Sequence, residues 1–305
     1  MSLEDYKSVQ RWTTKLSKKS GSPNTRRVFF HFLEEFSRHT QLNPDELIVE
    51  RINDQKSTDK FIQRRAEDRL DEWFTELEKR SLSRNTCVLA YNAIRSFYKA
   101  NYSELEPEDP PASWATKSKP GLSREELEAM LDHANNIMHK AYILCQTQSG
   151  LSVSDLLGLT VSSLNEVETG YMHLHLTRGK EKQLGFFDTF FGRTATSALK
   201  EYFKGRKNLK PSSLVFPCTP QNVRHFLAKI SDHAGVTFRV GSHDLRKYFN
   251  TQLKMTRVNS PAFNDTLIEY WMGHQQGKVK GAYFVPPSEE QLRLYKLAEE
   301  RLEPN

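Results

Sequence analysis

Residues 242–253 read SHDLRKYFNTQL. The stretch reads as one helix, and on a helix residues three apart share a face, so His243 and Arg246 point the same way. An imidazole and a guanidinium held at one spot ask for a chemistry that needs both, and the rest of the chain has to supply it.

Composition narrows that chemistry first. The chain has 305 residues and no long apolar run, enough for two packed domains and with nothing to span a bilayer. Its start, MSLEDYKSVQRW, lacks the apolar core of a signal peptide, so the expectation is a soluble, cytoplasmic protein with no membrane partner. Cys87, Cys145 and Cys218 are scattered and odd in number, which fits neither a disulfide framework nor a zinc set. A net charge of +6 and a pI near 9.0 suit a polyanionic partner without requiring one.

The chain divides at residues 103–121, SELEPEDPPASWATKSKPG, where four prolines and clustered charges break any helical period. The expected layout is residues 1–105 as a helical domain, 106–121 as linker and 122–305 as a second domain. In the first, three amphipathic segments are expected: residues 24–39 with Val28, Phe29, Phe32, Leu33 and Phe36 on one stripe, residues 60–80 with Ile62, Ala66, Leu70, Trp73 and Leu77, and residues 84–102 with Leu89, Ile94, Phe97 and Tyr98. Aromatic residues that keep the helical period fit a core better than a base-stacking platform. The interleaved Arg26, Arg27, Arg64, Arg65, Lys79, Arg80, Arg84 and Arg95 read as a solvated face unless the second domain gives a reason to hold DNA.

After the linker, Ser123 with Glu126 three residues later is a capping-box signature that opens a helix. A second helix is expected over residues 141–164. Residues 170–191 alternate on both sides of a Gly-containing turn and read as a β-hairpin around RGKEK; helical segments then return. The fold class expected is therefore mainly α with a small antiparallel sheet, without internal repeats.

Downstream of SHDLR come Gly273-His274, ending a helix, and Tyr283 nine residues after that histidine. His243, Arg246, His274, Tyr283 and a hairpin lysine suit attack of a phenolate on a phosphodiester. Phosphoryl transfer asks chiefly for in-line positioning and for cations around the developing charge. A tyrosine nucleophile leaves a covalent ester that keeps the bond energy, so strands rejoin without ATP, and a lysine beside the leaving 5′-oxygen serves as general acid. Each piece alone has a plainer reading: an i,i+3 pair by chance, a Gly-His helix cap, a surface tyrosine.

The ordered set, HDLR, then Gly273-His274, then Tyr283, preceded by SGLSVSDLLGL and a hairpin lysine, resembles the tyrosine recombinase family, the phage-integrase-type site-specific recombinases. The resemblance extends over the whole chain and is similar also to archaeal-type and proviral integrases. It implies a core-binding (SAM-like) domain followed by a mixed α/β catalytic domain, forming a C-shaped clamp on duplex DNA. It also implies a homotetramer on DNA joined through an exchanged C-terminal helix, YFVPPSEEQLRLYKLAEERL. No Gly-rich cofactor loop and no paired acidic ligands appear in the sequence, so no cofactor and no metal are expected. Carried over by residue, the resemblance makes Tyr283 the nucleophile forming a 3′-phosphotyrosine and Arg246 the clamp on the scissile phosphate. His243 becomes general base or phosphate donor, and His274 takes the second histidine position. Lys180 is the favoured hairpin lysine, with Lys182 the alternative, and Asp155 matches an acidic position that supports the arginine.

One position departs from the pattern. The family places its first catalytic arginine directly after the Gly-Leu of this segment, where Ser152 stands, and a serine cannot replace a planar fork of charged donors. A purposeful inactivating substitution, a degenerate copy and an arginine from elsewhere, such as Arg178, all fit. Two rival functions stay open: a non-cleaving, architectural DNA-binding protein on this fold, and a type IB topoisomerase-like enzyme with a similar pocket.

Overall fold

The computed structural model describes residues 2–19, 23–114, 119–177, 186–259, 264–274 and 286–304. The chain separates into two compact units, Met1–Ser118 and Lys119–Asn305.

The first unit is helical throughout its regular structure: α1 (Lys7–Lys19), α2 (Pro23–Thr40), α3 (Pro44–Asp54), α4 (Lys60–Gln63), α5 (Arg65–Lys79) and α6 (Arg84–Ala100). Three of these follow the amphipathic stripes, whose Phe32, Leu33, Phe36, Leu70, Trp73, Leu77, Ile94 and Phe97 are buried together. Residues 60–80 are two helices because Arg64 leaves helical geometry between them. Leu89 is exposed, and Cys87, Ala90 and Tyr91 take the inner face of α6 instead. Two further helices complete the bundle. α1 brings Trp12, which meets Phe97 edge-on at 5.4 Å. α3 starts at a capping box of Asn43 and Glu46 with Pro44 in its first turn.

Part of the basic set of this unit is matched with acids. Arg26 pairs with Glu4, Arg65 with Glu50 and Asp54, Arg80 with Glu76 and Glu35, and Arg84 with Glu78. They form a solvated, salt-bridged face. Arg51 and Glu67 are different, forming a buried two-point pair at 2.8 and 2.6 Å that ties α3 to α5.

The second unit holds α7 (Arg124–Asp132), α8 (Ile137–Ser149), α9 (Val153–Gly158), β1 (Asn165–Glu168), β2 (Tyr171–Thr177), β3 (Phe186–Phe191), α10 (Arg193–Lys204), α11 (Pro220–His233), α12 (Ser242–Asn259), α13 (Asp265–Trp271) and α14 (Ser288–Leu302). The architecture is mainly α with one small antiparallel sheet, as the sequence patterning predicts. Ser123 and Glu126 form the expected capping box at the start of α7. The sheet runs β1-β2-β3, with β2 and β3 antiparallel so that Leu174 faces Thr189 and His175 faces Asp188. Residues 141–164, expected as one helix, are instead α8, a break and α9. Gly150 lies in the left-handed region at φ 65°, and its backbone N–H bonds Gln146 O, which ends α8 there.

α14 packs on its own unit, burying Leu294, Tyr295, Ala298 and Leu302. The Tyr295 hydroxyl donates to Gln148 O at 2.8 Å. Glu299 of α14 and Glu303 at the C-cap of α14 complete α10, whose N-cap, Gly192, has no side chain for the job. Arg193 N donates to Glu299 Oε1 at 2.9 Å and Thr194 N to Glu303 Oε1 at 3.3 Å, while Gln148 Oε1 accepts from Gly192 N and Ala195 N.

Candidate active site

α12 organises the site because its first turn carries His243 and its second carries Arg246. Asp244 accepts a bond from Gly241 N at 2.9 Å and fixes the start of the helix. His243 is exposed on that first turn, at the helix end whose dipole favours an anion.

Arg246 reaches in two directions. One guanidinium nitrogen, Nη1, donates to Gly150 O at 2.5 Å, and the other, Nη2, donates to Met272 O at 2.6 Å. The first bond holds the arginine at the corner that leads to Ser152, the second at the helix end that leads to His274. One cation thus ties together two corners far apart in sequence. Burial pulls its pKa below the usual arginine value, and the carboxylates of Asp155 and Glu269 oppose that pull through space. An arginine so placed remains charged, and its other N–H groups are not used by these two bonds.

Gly150 is what lets this corner form. A Cβ added there would lie 2.2 Å from Phe249 Cδ1, so α8 and α12 approach closely only over a glycine.

Ser152 is the N-cap of α9. Its hydroxyl accepts from Asp155 N at 3.2 Å and donates to Asp155 Oδ2 at 2.6 Å. The serine is a fully engaged cap, and the acid expected to support an arginine is bonded to it.

His274 follows a Schellman turn: Gly273, at φ 65°, donates to Tyr270 O and His274 N donates to Glu269 O, each at 2.9 Å. The plain reading of Gly-His as a helix cap is therefore true, and the cap is the device that aims the histidine. The Nδ1 of His274 bonds the Glu269 carboxylate, which orients the ring and turns Nε2 to the other side. Glu269 was not foreseen from the sequence; its spacing five residues before His274 is set by that turn.

Tyr283, Lys180, its alternative Lys182 and Arg178 lie outside the described residues. Two other tyrosines of this region are accounted for. The Tyr270 hydroxyl donates to Asp188 at 2.5 Å and that of Tyr295 to Gln148 O, both within the core, so neither phenolic oxygen faces solvent. Among the described residues no group of histidines, cysteines or acids is arranged to hold a metal ion, and no helix is long and apolar enough to cross a membrane.

Residues 121–286 match the model of the phage integrase family. The chain belongs to this family. The tyrosine recombinase XerC of Listeria innocua is 28% identical over 204 residues, covering 59% of this chain and 66% of the relative. XerD of Caulobacter vibrioides is 28% identical over 209 residues, covering 60% of this chain and 67% of the relative. The chain thus covers just under two thirds of the Listeria relative. Among solved structures, a Tn1549 transposon integrase in complex with a circular intermediate DNA aligns at a TM-score of 0.61 with 16% identity, covering 94% of this chain and 97% of that one. The XerH recombinase bound to its difH substrate aligns at 0.51 with 18% identity, over 74% and 69% of the two chains. At these identities the structural likeness establishes the recombinase fold.

Proposed function

We propose that this protein is a site-specific tyrosine recombinase that breaks and rejoins duplex DNA through a 3′-phosphotyrosine, and that its cleavage step is slow because Ser152 stands in for a cation. The observation that carries the reading is Arg246, anchored to Gly150 O and Met272 O. This anchoring presents one guanidinium between the Ser152 corner and the His274 turn, with His243 on the same helix face.

In the proposed step, the Tyr283 oxygen forms a bond to phosphorus and the bond from phosphorus to the 5′-oxygen breaks. Lys180 gives that oxygen its proton, and His243 takes the phenolic proton. Arg246 and His274 meet the charge on the non-bridging oxygens. Rejoining reverses these transfers. Lys182 stays the alternative acid. The two units grip the duplex chiefly through phosphates, and neighbouring protomers assemble on the DNA. Affinity should therefore fall by orders of magnitude between roughly 50 and 200 mM salt if about six to ten phosphates are neutralised.

The test is covalent trapping on a nicked suicide substrate with the unaltered chain and with Tyr283→Phe. Removing only the phenolic oxygen should leave DNA affinity intact and abolish any adduct. An adduct that persists in Tyr283→Phe overturns the assignment of the nucleophile. The second reading, a DNA-binding protein that does not cleave, is favoured by one observation: Ser152 is fully used as a helix cap. It takes over if no adduct forms even when an arginine is restored at 152.

A further inference from the structure

Asp188 sits on β3 opposite His175, only 6% exposed, with a carboxylate that is used on every side. Oδ1 accepts from His173 Nε2 at 2.9 Å and from His175 Nδ1 at 2.8 Å, both on β2. Oδ2 accepts from the Tyr270 hydroxyl of α13 at 2.5 Å and from Gln291 Nε2 of α14 at 3.4 Å. Burial alone would raise its pKa, yet the bonds from His173, Tyr270 and His175 more than reverse this and hold it well below the usual carboxylate range. An ionised carboxylate only accepts, so its partners must be the protonated ring nitrogens, which fixes the tautomers of both histidines.

Gln291 extends the network. Its Oε1 accepts from Trp271 Nε1 at 2.9 Å, and its Nε2 also donates to Pro286 O at 2.9 Å. Trp271 and Tyr270 end α13, just ahead of residues 275–285. Pro286 is the first residue after them. β2 and β3 likewise flank residues 178–185. A single buried carboxylate, with one amide as its extension, therefore joins the elements that flank both stretches, the stretches that contain Tyr283 and the hairpin lysines.

We propose that Asp188 is a positioning residue for the strand-cleavage reaction, holding the ends of the nucleophile-bearing stretch in register with the β2–β3 hairpin. This rests on the recombinase reading above. Asp188 touches neither the substrate nor the reacting atoms; it acts through Tyr270 and Gln291. Misplacing a reacting group by about 1 Å costs on the order of 10²-fold in rate, so a hub that sets two chain segments against each other should be felt in the chemical step first. A role confined to stability would instead lower binding and cleavage together, in proportion to the folded fraction.

The test uses the full chain in the Ser152→Arg background, comparing Tyr270→Phe and Asp188→Asn with their parent. Tyr270→Phe keeps the ring in the core and deletes one donor. Asp188→Asn keeps the shape and turns one acceptor into a donor, which must face donors already bonded to the carboxylate on either side. Both should bind site DNA within about 2-fold of the parent and form the phosphotyrosine adduct roughly 10- to 100-fold more slowly. In the unaltered background, amide exchange should quicken together at residues 272–274 and 286–292 on either substitution. Unchanged cleavage in both variants overturns the proposal, as does a loss of affinity equal to the loss of rate. If the Ser152→Arg parent itself forms no adduct, the recombinase reading has failed and the exchange measurement decides alone. Quickening confined to β3, with both flanks unchanged, would then refute the hub.

Discussion

Replacing Ser152 with arginine tests the site most directly, because the structure sets both what is lost and what is gained. The serine hydroxyl caps α9 through Asp155 N and donates to Asp155 Oδ2 at 2.6 Å. Removing such a cap costs about 1 kcal/mol, and the freed Asp155 carboxylate becomes available to pair with the incoming guanidinium. The gain is in the transition state. Deleting one preorganised donor from an oxyanion site typically costs about 10²–10³ in rate, or roughly 3–4 kcal/mol, and a missing guanidinium should cost at least that. The restored arginine should thus outweigh its structural cost. Ser152→Arg is expected to lower the thermal midpoint slightly, to leave site affinity nearly unchanged because one phosphate contact is a small share of the interface, and to speed cleavage by at least about 10²-fold. The assay is single-turnover adduct formation on a nicked suicide substrate for both proteins. Robust cleavage by the unaltered chain would refute the reasoning and direct attention to Arg178 as a substitute cation. Equal inactivity in both would mean that the site is degenerate at more than one position.

Gly150→Ala should destabilise the second unit by roughly 2–5 kcal/mol, the sum of left-handed strain and a Cβ driven into Phe249, read as a fall of roughly 5–15 °C in its thermal midpoint; a fall of under about 2 °C would contradict the close packing. Asp188 has a folded-state pKa lowered from 3.8, so its stabilisation is fully present above that value and is lost as pH falls further. Urea midpoints of the unaltered chain and Asp188→Asn should therefore stay apart down to about pH 4.5 and converge only as pH falls from there toward about 2, and parallel curves over that lower range would refute this. Deleting residues 289–304 removes the buried face of Leu294, Tyr295, Ala298 and Leu302; the second unit should then lose its cooperative melt, whereas a retained melt with altered assembly would show the tail to be dispensable to its own chain.

What the sequence made legible was local. Ser123 and Glu126 announce a helix start within four residues, the alternation over 170–191 announces a hairpin, and the HDLR spacing puts His243 and Arg246 on one face. The breaks were harder to see. Gly150 divides an apolar stretch that keeps its hydrophobicity on both sides, and only the left-handed turn followed by a Ser152 cap marks the division. α1 and α3 went unread, although the Asn43–Glu46 box that opens α3 was present in the sequence. Least legible of all were the convergences. Tyr270 and Gln291 meet Asp188 across 82 and 103 positions, and nothing in the local pattern of any of the three residues foretells it. The anchoring of Arg246 has the same character. The sequence marks the arginine, but the carbonyls of Gly150 and Met272 that hold it are backbone atoms, which no residue type can signal.

The borrowed cap on α10 bears on how the second unit is made. Its first turn waits for carboxylates 106 and 109 positions further along the chain, at Glu299 and Glu303. During synthesis, the N–H groups of Arg193 and Thr194 have only water as partner until the later helix has been produced and has docked, so burying that turn earlier leaves two donors unmatched. Contacts of such long range form late and slowly. A nascent chain would therefore be the form most in need of chaperone protection, and the unit should acquire protease resistance in one step, only after residue 303 has left the ribosome.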